Sequence, residues 1–232
     1  MASQATTRPP ARTQRRTARS LPVVAGIGYS VAWIISLLVG APNPSVAARG
    51  SQVVAAFAGH GGPAVAMFVL AEGVAAAALA VVVIAAARAA RRCGARRAGL
   101  TGAGFGIAAA VASWVELALG AWLVYGPVAG RRTASAETAY QVLMRLDGAK
   151  MFLLAAMAVA LSAVALTSPA LPRWLAPLGF LLAASLAVSG LGFVLLAPGL
   201  ASAVYVSGTL LLVFVTGTGV TLRMAPQPPG ST

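Results

Sequence analysis

Two of the four acidic residues of this 232-residue chain, Glu72 and Glu116, stand in the middle of long apolar runs, each long enough to cross a bilayer. A carboxylate at that depth costs a few kcal/mol or more unless it is protonated, paired or turned toward a polar interior, so intramembrane acids mark proton relays, ion sites and substrate pathways. Asp147 and Lys150 form a second set, three residues apart where a later apolar run begins, and can pair along one helix face. The long Lys150 stem also lets its ammonium sit at a different depth from its backbone. A link from Lys150 to Glu116 or Glu72 would clip the fourth span to the second and third. The chemistry offered by such a set is uptake of a proton, or binding of a cation or an amine. Structural roles compete with it: a protonated glutamate bonded to a backbone carbonyl or a serine, a contact for lipid or a partner helix, or an Asp147–Lys150 interfacial salt bridge that anchors a helix end.

The third apolar run shows how one of these carboxyls is held. Gly102, Gly106, Ala109, Ser113, Glu116 and Gly120 recur at steps of four and three, which puts all six on one helix stripe. Small residues on a stripe admit a second helix closely, the packing device used where lipid supplies no hydrophobic drive. The opposite stripe, Ile107, Val111, Trp114, Ala118, Trp122 and Tyr125, is bulky and suits lipid. Glu116 therefore belongs to a helix–helix contact. Around Glu72 the pattern is mixed: Gly73, Ala76, Ala77 and Ala80 flank it, while Val65, Phe68 and Val69 share its face. A short loop joins the second and third runs, so they are antiparallel. At about 1.5 Å per residue, both glutamates lie slightly outward of their midpoints, and the two carboxyls are expected to meet at matching depth.

The elements that must position these residues are set by hydropathy. The chain is 59% hydrophobic and 9% charged, with mean hydropathy +0.86, far more apolar than a soluble domain. Six apolar runs approach the ~20 residues that cross the hydrocarbon: Leu21–Gly40, Gly61–Ala87, Gly102–Gly126, Ala149–Thr167, Trp174–Leu196 and Ala201–Leu222. The formal charge of +13 would suggest nucleic acid in a soluble protein. Here the arginines fall between apolar runs and at the N-terminus, the distribution that sets topology and meets anionic headgroups. With the N-terminus inside, twelve of the seventeen Lys and Arg are cytoplasmic; the outer five are Arg49, Arg131, Arg132, Arg145 and Lys150. Both termini are then cytoplasmic. A secretory signal ending near Ser45-Val46-Ala47-Ala48 is the competing reading of the first run, which is long for a signal and carries Tyr29 and Trp33.

Two outer loops exceed what a turn requires. Pro42–His60 contains Val53, Val54 and Phe57 at helical spacing, and Pro127–Gly148 contains Val142, Leu143 and Leu146. Each is expected to form a short amphipathic helix on the outer face, leading into the next span. Gln52-Val53-Val54 matches Gln141-Val142-Leu143, and Gly59 matches Gly148 at the same offset, a faint sign of a repeated unit of span, surface helix and span.

Other chemistry fails on inventory. Cys93 and His60 are the only residues of their types, so no internal disulfide, multi-cysteine metal site or bis-histidine haem can form within one chain. His60, before Gly61-Gly62-Pro63, reads as the residue leading into a helix. Ser185, Ser189 and Gly192 read as a packing stripe. Thr216-Gly217-Thr218-Gly219 lacks the strand and lysine of a phosphate loop. There is no Gly-x-Ser-x-Gly elbow, His-Glu-x-x-His or Walker loop.

Several stretches resemble a group of uncharacterised six-span membrane proteins of high-GC bacteria, a family of unknown function. They are Gln52-Val53-Val54-Ala55-Ala56-Phe57-Ala58-Gly59-His60, Ala71-Glu72-Gly73, Leu146-Asp147-Gly148-Ala149-Lys150, Arg173-Trp174-Leu175 and the ending Tyr205 with Thr216-Gly217-Thr218-Gly219. The resemblance implies six helices and a plasma-membrane home, and no activity.

The expectation is an all-α protein: a polytopic transmembrane bundle of six spans with short surface helices in the outer loops, multi-pass in the plasma membrane. Residues 1–20 are expected to be a disordered basic cytoplasmic tail, 21–223 the membrane domain and 224–232 a loose tail. Function reads as transport-associated, with Glu72, Glu116, Lys150 and Asp147 as a polar intramembrane site between helices 2 and 3. The alternatives are a non-catalytic assembly partner or sensor subunit and, behind it, a lipid-modifying enzyme; the balance leans against an enzyme. No cofactor and no nucleic acid are expected. The expected partners are the bilayer, with anionic headgroups at the cytoplasmic arginines, and a membrane protein or second copy of the chain.

Overall fold

The computed structural model describes residues 11–40 and 43–222, with side chains from residue 20 onward, and among these there is no strand. The helices are α1 (Ala11–Val39), α2 (Gly50–Phe57), α3 (Gly61–Phe68), α4 (Ala75–Arg92), α5 (Arg96–Leu123), α6 (Thr133–Thr167), α7 (Leu175–Val194), α8 (Pro198–Ala201) and α9 (Val204–Thr221). A π turn, Val69–Val74, carries α3 into α4, and a second, Val124–Val128, closes α5. Six segments are long and apolar enough to cross a membrane: Ser20–Val39, Gly61–Arg92, Arg96–Val128, Thr133–Thr167, Leu175–Val194 and Pro198–Thr221. The protein is an all-α, six-span membrane bundle.

Local chemistry sets the breaks. Ser168 is extended, as a residue before proline prefers, and Ser168-Pro169 ends α6. Gly94, at φ +84°, turns the chain between α4 and α5. Pro63 falls in the first turn of α3, where its missing N–H is no loss. Pro127 leaves the end of α5 without one bond, and the helix loosens to the wider turn in which Ala129 N–H reaches the Val124 carbonyl at 3.2 Å.

The spans close a ring in which neighbours run in the order α1, α4, α5, α6, α7, α9 and back to α1. Its core is Leu79, Val82, Val83, Met157, Leu161, Leu175, Leu182 and Phe214. The three middle spans run 32, 33 and 35 residues against 20 to 24 for the others. At 1.5 Å per residue the longer ones reach about 50 Å, well beyond the ~30 Å hydrocarbon layer. The excess gathers at the end opposite Arg91, Arg92, Arg96 and Arg97, where α2 lies on α6. There Val53, Phe57, Phe68, Leu123, Val128, Tyr140 and Leu143 build a second apolar core, a cap on the ring.

Several expectations change. α1 is drawn from Ala11, ahead of the apolar segment; Arg, Ala and Gln favour helix and run straight into it. Residues 1–10 and the tail from 223 lie outside the described residues. The first outer loop does form a helix, α2, but it packs on protein. The second forms no separate surface helix: α6 runs unbroken from Thr133, so the helix that carries the fourth span begins there and not at Ala149. Nothing between Thr133 and Lys150 stops a helix; Gly148 stays in register because the backbone of Gly190 presses against it.

Candidate functional site

Lys150 is the eighteenth residue of the 35-residue α6, in its middle, not at a helix end. Its Nζ donates to Glu116 Oε2 at 2.5 Å and to Glu72 Oε2 at 2.8 Å, and lies 2.9 Å from Asp147 Oδ1. The structure thus brings together all four residues read as a site, and ties α6 to α5 and to the π turn of the second span. Of the three donors of an ammonium, two go to Glu116 and Glu72, and Asp147 stands in ion-pair contact. Lys150 is 6% exposed and Glu116 2%.

Each partner arrives by a different local route. All six residues of the small stripe on α5 are buried, and all six of the bulky stripe are exposed. Gly106 rests against Val83 and Met157, and Gly120 against the Phe68 ring. That seating carries Glu116 to the α6 interface. Glu72 arrives through the π turn, which adds about one residue to its helical turn and so rotates the faces of the helix beyond it. Val69 and Ala77, expected on the Glu72 face and its flank, are exposed as a result. The Trp114 indole N–H donates to the Gly73 carbonyl of this turn at 3.4 Å. Phe68, whose ring rests on Gly120, belongs to the cap.

Electrostatically the cluster is unbalanced. Three carboxyls face one ammonium, and among the described residues these are the only ion pairs. Glu116 Oε1 is buried and has no hydrogen-bond partner among the described residues. A buried carboxylate oxygen left unpaired is costly, because the low-dielectric surroundings solvate it poorly.

A cavity of about 30 Å³ opens beside the cluster. Its polar lining is Glu72 and Lys150 together with Tyr29, Trp33 and Ser113; the rest is apolar, including Leu79, Leu154 and Leu211. Tyr29 and Trp33 were not among the expected site residues. The pattern that reveals Tyr29 is the one that revealed Glu116: Ala25, Tyr29, Ala32 and Ser36 recur at steps of four, three and four, and all are buried.

The fourth acid has a separate task. Gly50 N–H donates to Glu137 Oε2 at 2.8 Å, so a carboxylate of α6 caps the positive end of α2. Gln52 Oε1 accepts from Arg49 N–H at 2.9 Å, and Tyr140 donates to the Pro44 carbonyl at 2.7 Å. His60 precedes α3 and its Nδ1 meets the Ala58 carbonyl at 3.1 Å. Ser189 bonds Ser207 across α7 and α9. Thr216-Gly217-Thr218-Gly219 lies within α9, where Gly219 faces Pro22 and Gly26 of α1. No group of three or more His, Cys, Asp or Glu among the described residues is arranged to hold a metal ion. No family model matches the chain, and no curated protein or solved structure matches it either.

Proposed function

We propose that this six-span membrane protein sits in the plasma membrane with cytoplasmic termini, and that Glu72, Glu116, Asp147 and Lys150 form an intramembrane site that takes up and releases a proton in a transport-associated role. The observation that carries this is the charge count: three carboxyls converge on one buried ammonium. Such a cluster needs added positive charge, and a proton is the form that enters without moving helices apart. The π turn at Glu72 supports the same reading, because π turns inside α-helices concentrate at functional sites. The orientation rests on the excess of arginine at one end, and the resemblance to six-span bacterial proteins supplies only the expected location.

The alternative of an assembly subunit joined to its partner through small-residue stripes loses ground. The stripe on α5 is occupied from within the chain, by Val83, Met157, Leu161 and Phe68. The face it leaves outward is bulky.

The test is infrared titration of the purified chain in lipid nanodiscs. A carbonyl band of a protonated carboxylic acid should grow as pH falls and disappear as it rises, and Glu116→Gln should remove or displace it. A chain whose carboxyl bands stay fixed over its stable pH range does not have this function.

A further inference from the structure

Resting on that proton reading, we infer that the cavity beside Glu72 is a water-borne relay joining the ionic cluster to the Tyr29 and Ser113 hydroxyls, and that the site therefore admits protons and excludes organic amines and metal cations. Size argues first. About 30 Å³ holds one or two water molecules, roughly a tenth or less of the 300–1,000 Å³ pockets that take organic ligands. The lining argues next. A metal cation of the hard kind needs about six oxygens around it; this wall has few, and the Lys150 ammonium is part of it. A water needs only two to four polar partners.

Those partners are present. Lys150 is held by the three carboxylates, with hydrogen bonds to Glu72 and Glu116 and an ion pair to Asp147. Among the other residues that line the cavity are Glu72, whose second oxygen makes no hydrogen bond within the described residues, Ser113 and Tyr29. Ser113 is 7% exposed and makes no hydrogen bond within the described residues, so its hydroxyl is free to serve a water. The arrangement also draws on separate helices: Tyr29 comes from α1, Ser113 from α5, Glu72 from the π turn and Lys150 from α6. The titratable and charged groups facing the site are Tyr29, Glu72, Glu116, Asp147 and Lys150. From α4 and α9 only apolar side chains, such as Leu79 and Leu211, reach it.

The step is a simple exchange. A proton delivered from solvent makes the cavity water a hydronium. One O–H bond of that hydronium breaks as a new one forms on a carboxylate oxygen of the cluster, leaving neutral water and a neutral carboxylic acid. A hydroxyl of Tyr29 or Ser113 on the path accepts one proton and passes on another, and ends unchanged. Release runs the same bonds in reverse.

The experiment tracks carboxyl protonation by time-resolved infrared after a pH jump, with the full chain in nanodiscs of neutral lipid. Unaltered protein in H₂¹⁸O should show an isotope-shifted O–H stretch that changes together with the carboxyl band. Tyr29→Phe and Ser113→Val should slow protonation roughly tenfold or more while leaving its final amplitude. Sodium or methylammonium, each added at constant pH, should leave the band where it is. If the unaltered chain shows no titrating carboxyl, the proton reading fails and the relay fails with it. A titrating carboxyl with no ¹⁸O-sensitive band overturns the relay alone. So does an unchanged rate in both folded variants, or a band displaced by either cation.

Discussion

Two sides of one helix ring are held together by opposite means. On one side α5, α6 and the second span meet at Lys150 and its three carboxylates. On the other, α1 and α9 meet at Gly26 and Gly219, with Ser30 and Thr216 bonded across the seam at 2.7 Å and Thr216 bonded on to the Gly26 carbonyl at 3.0 Å. The second seam is electrically neutral and closed: each hydroxyl has its partner. The first has more charge than its one cation balances and a buried oxygen with none. Packing alone accounts for the hydroxyl seam, since close glycines and hydroxyl bonds are how helices associate in lipid. Packing alone does not account for three acids where one would pair Lys150. The difference separates a joint from a site.

Removal of Lys150 should have the largest effect and tests the comparison most severely. Lys150→Met leaves three buried carboxyls without their cation, and breaking a buried pair from one side costs about 3–5 kcal/mol. The loss is expected near neutral pH in unfolding of the detergent-solubilised chain. It should shrink as pH falls, because carboxyls that take up protons no longer need the ammonium. Glu72→Gln combined with Asp147→Asn in the Lys150→Met background should recover part of it. A Lys150→Met protein as stable as the parent at pH 7 would make the ionic seam no different in kind from the hydroxyl one.

The α5 face was legible because a single helix's periodicity decides which of its residues point inward, and the Gly102–Gly120 stripe carries that signal without interruption. The same rule applied to Ala25, Tyr29, Ala32 and Ser36 reads the buried face of α1. The π turn at Glu72 is not legible in the sequence: it breaks the 3.6-residue period that any stripe assumes, so a regular stripe puts Val69 on the wrong side. The continuity of α6 was hidden for another reason. The polar residues from Thr133 to Lys150 look like a loop when the membrane is taken as the only apolar partner, whereas here α2 supplies one, burying Tyr140 and Leu143. Lys150 then sits in the middle of a long helix and is buried in the bundle, not at a helix end. Which acids it meets depends on the ring order of the helices, and no local pattern encodes that order.

The glycine contact ranks next. A Cβ on Gly219 would come 2.5 Å from the Pro22 carbonyl oxygen and 3.1 Å from Gly26 Cα. Gly219→Leu should therefore push α1 from α9 and destabilise by about 1–3 kcal/mol, the usual range for overpacking, with no pH dependence. That flat profile is the point of contrast with Lys150→Met, and the two can be compared in one series of thermal melts across pH. A Gly219→Leu loss that vanished at low pH would mean that the two seams are coupled, and the division between joint and site would have to be redrawn.

The smallest effect belongs to the hydroxyls themselves. Each hydroxyl also reaches a backbone carbonyl of the facing helix, Thr216 that of Gly26 at 3.0 Å and Ser30 that of Leu212 at 3.4 Å, so either can be the donor in the bond between the two side chains. Interhelical hydrogen bonds of this kind in membranes average about 0.6 kcal/mol and reach about 1.7, because the separated helices find other partners for the same groups. A double-mutant cycle with Ser30→Ala and Thr216→Val should return a coupling energy in that range. Each single change should leave the infrared titration of the ionic cluster untouched, since neither hydroxyl lines its cavity. A cycle energy near that of the Lys150 cluster, or a shift in the carboxyl titration, would give the hydroxyl seam a share in the chemistry. Without either, a hydroxyl pair and an ionic cluster in the same bundle differ in energy by severalfold, and only the cluster has charge left over to exchange.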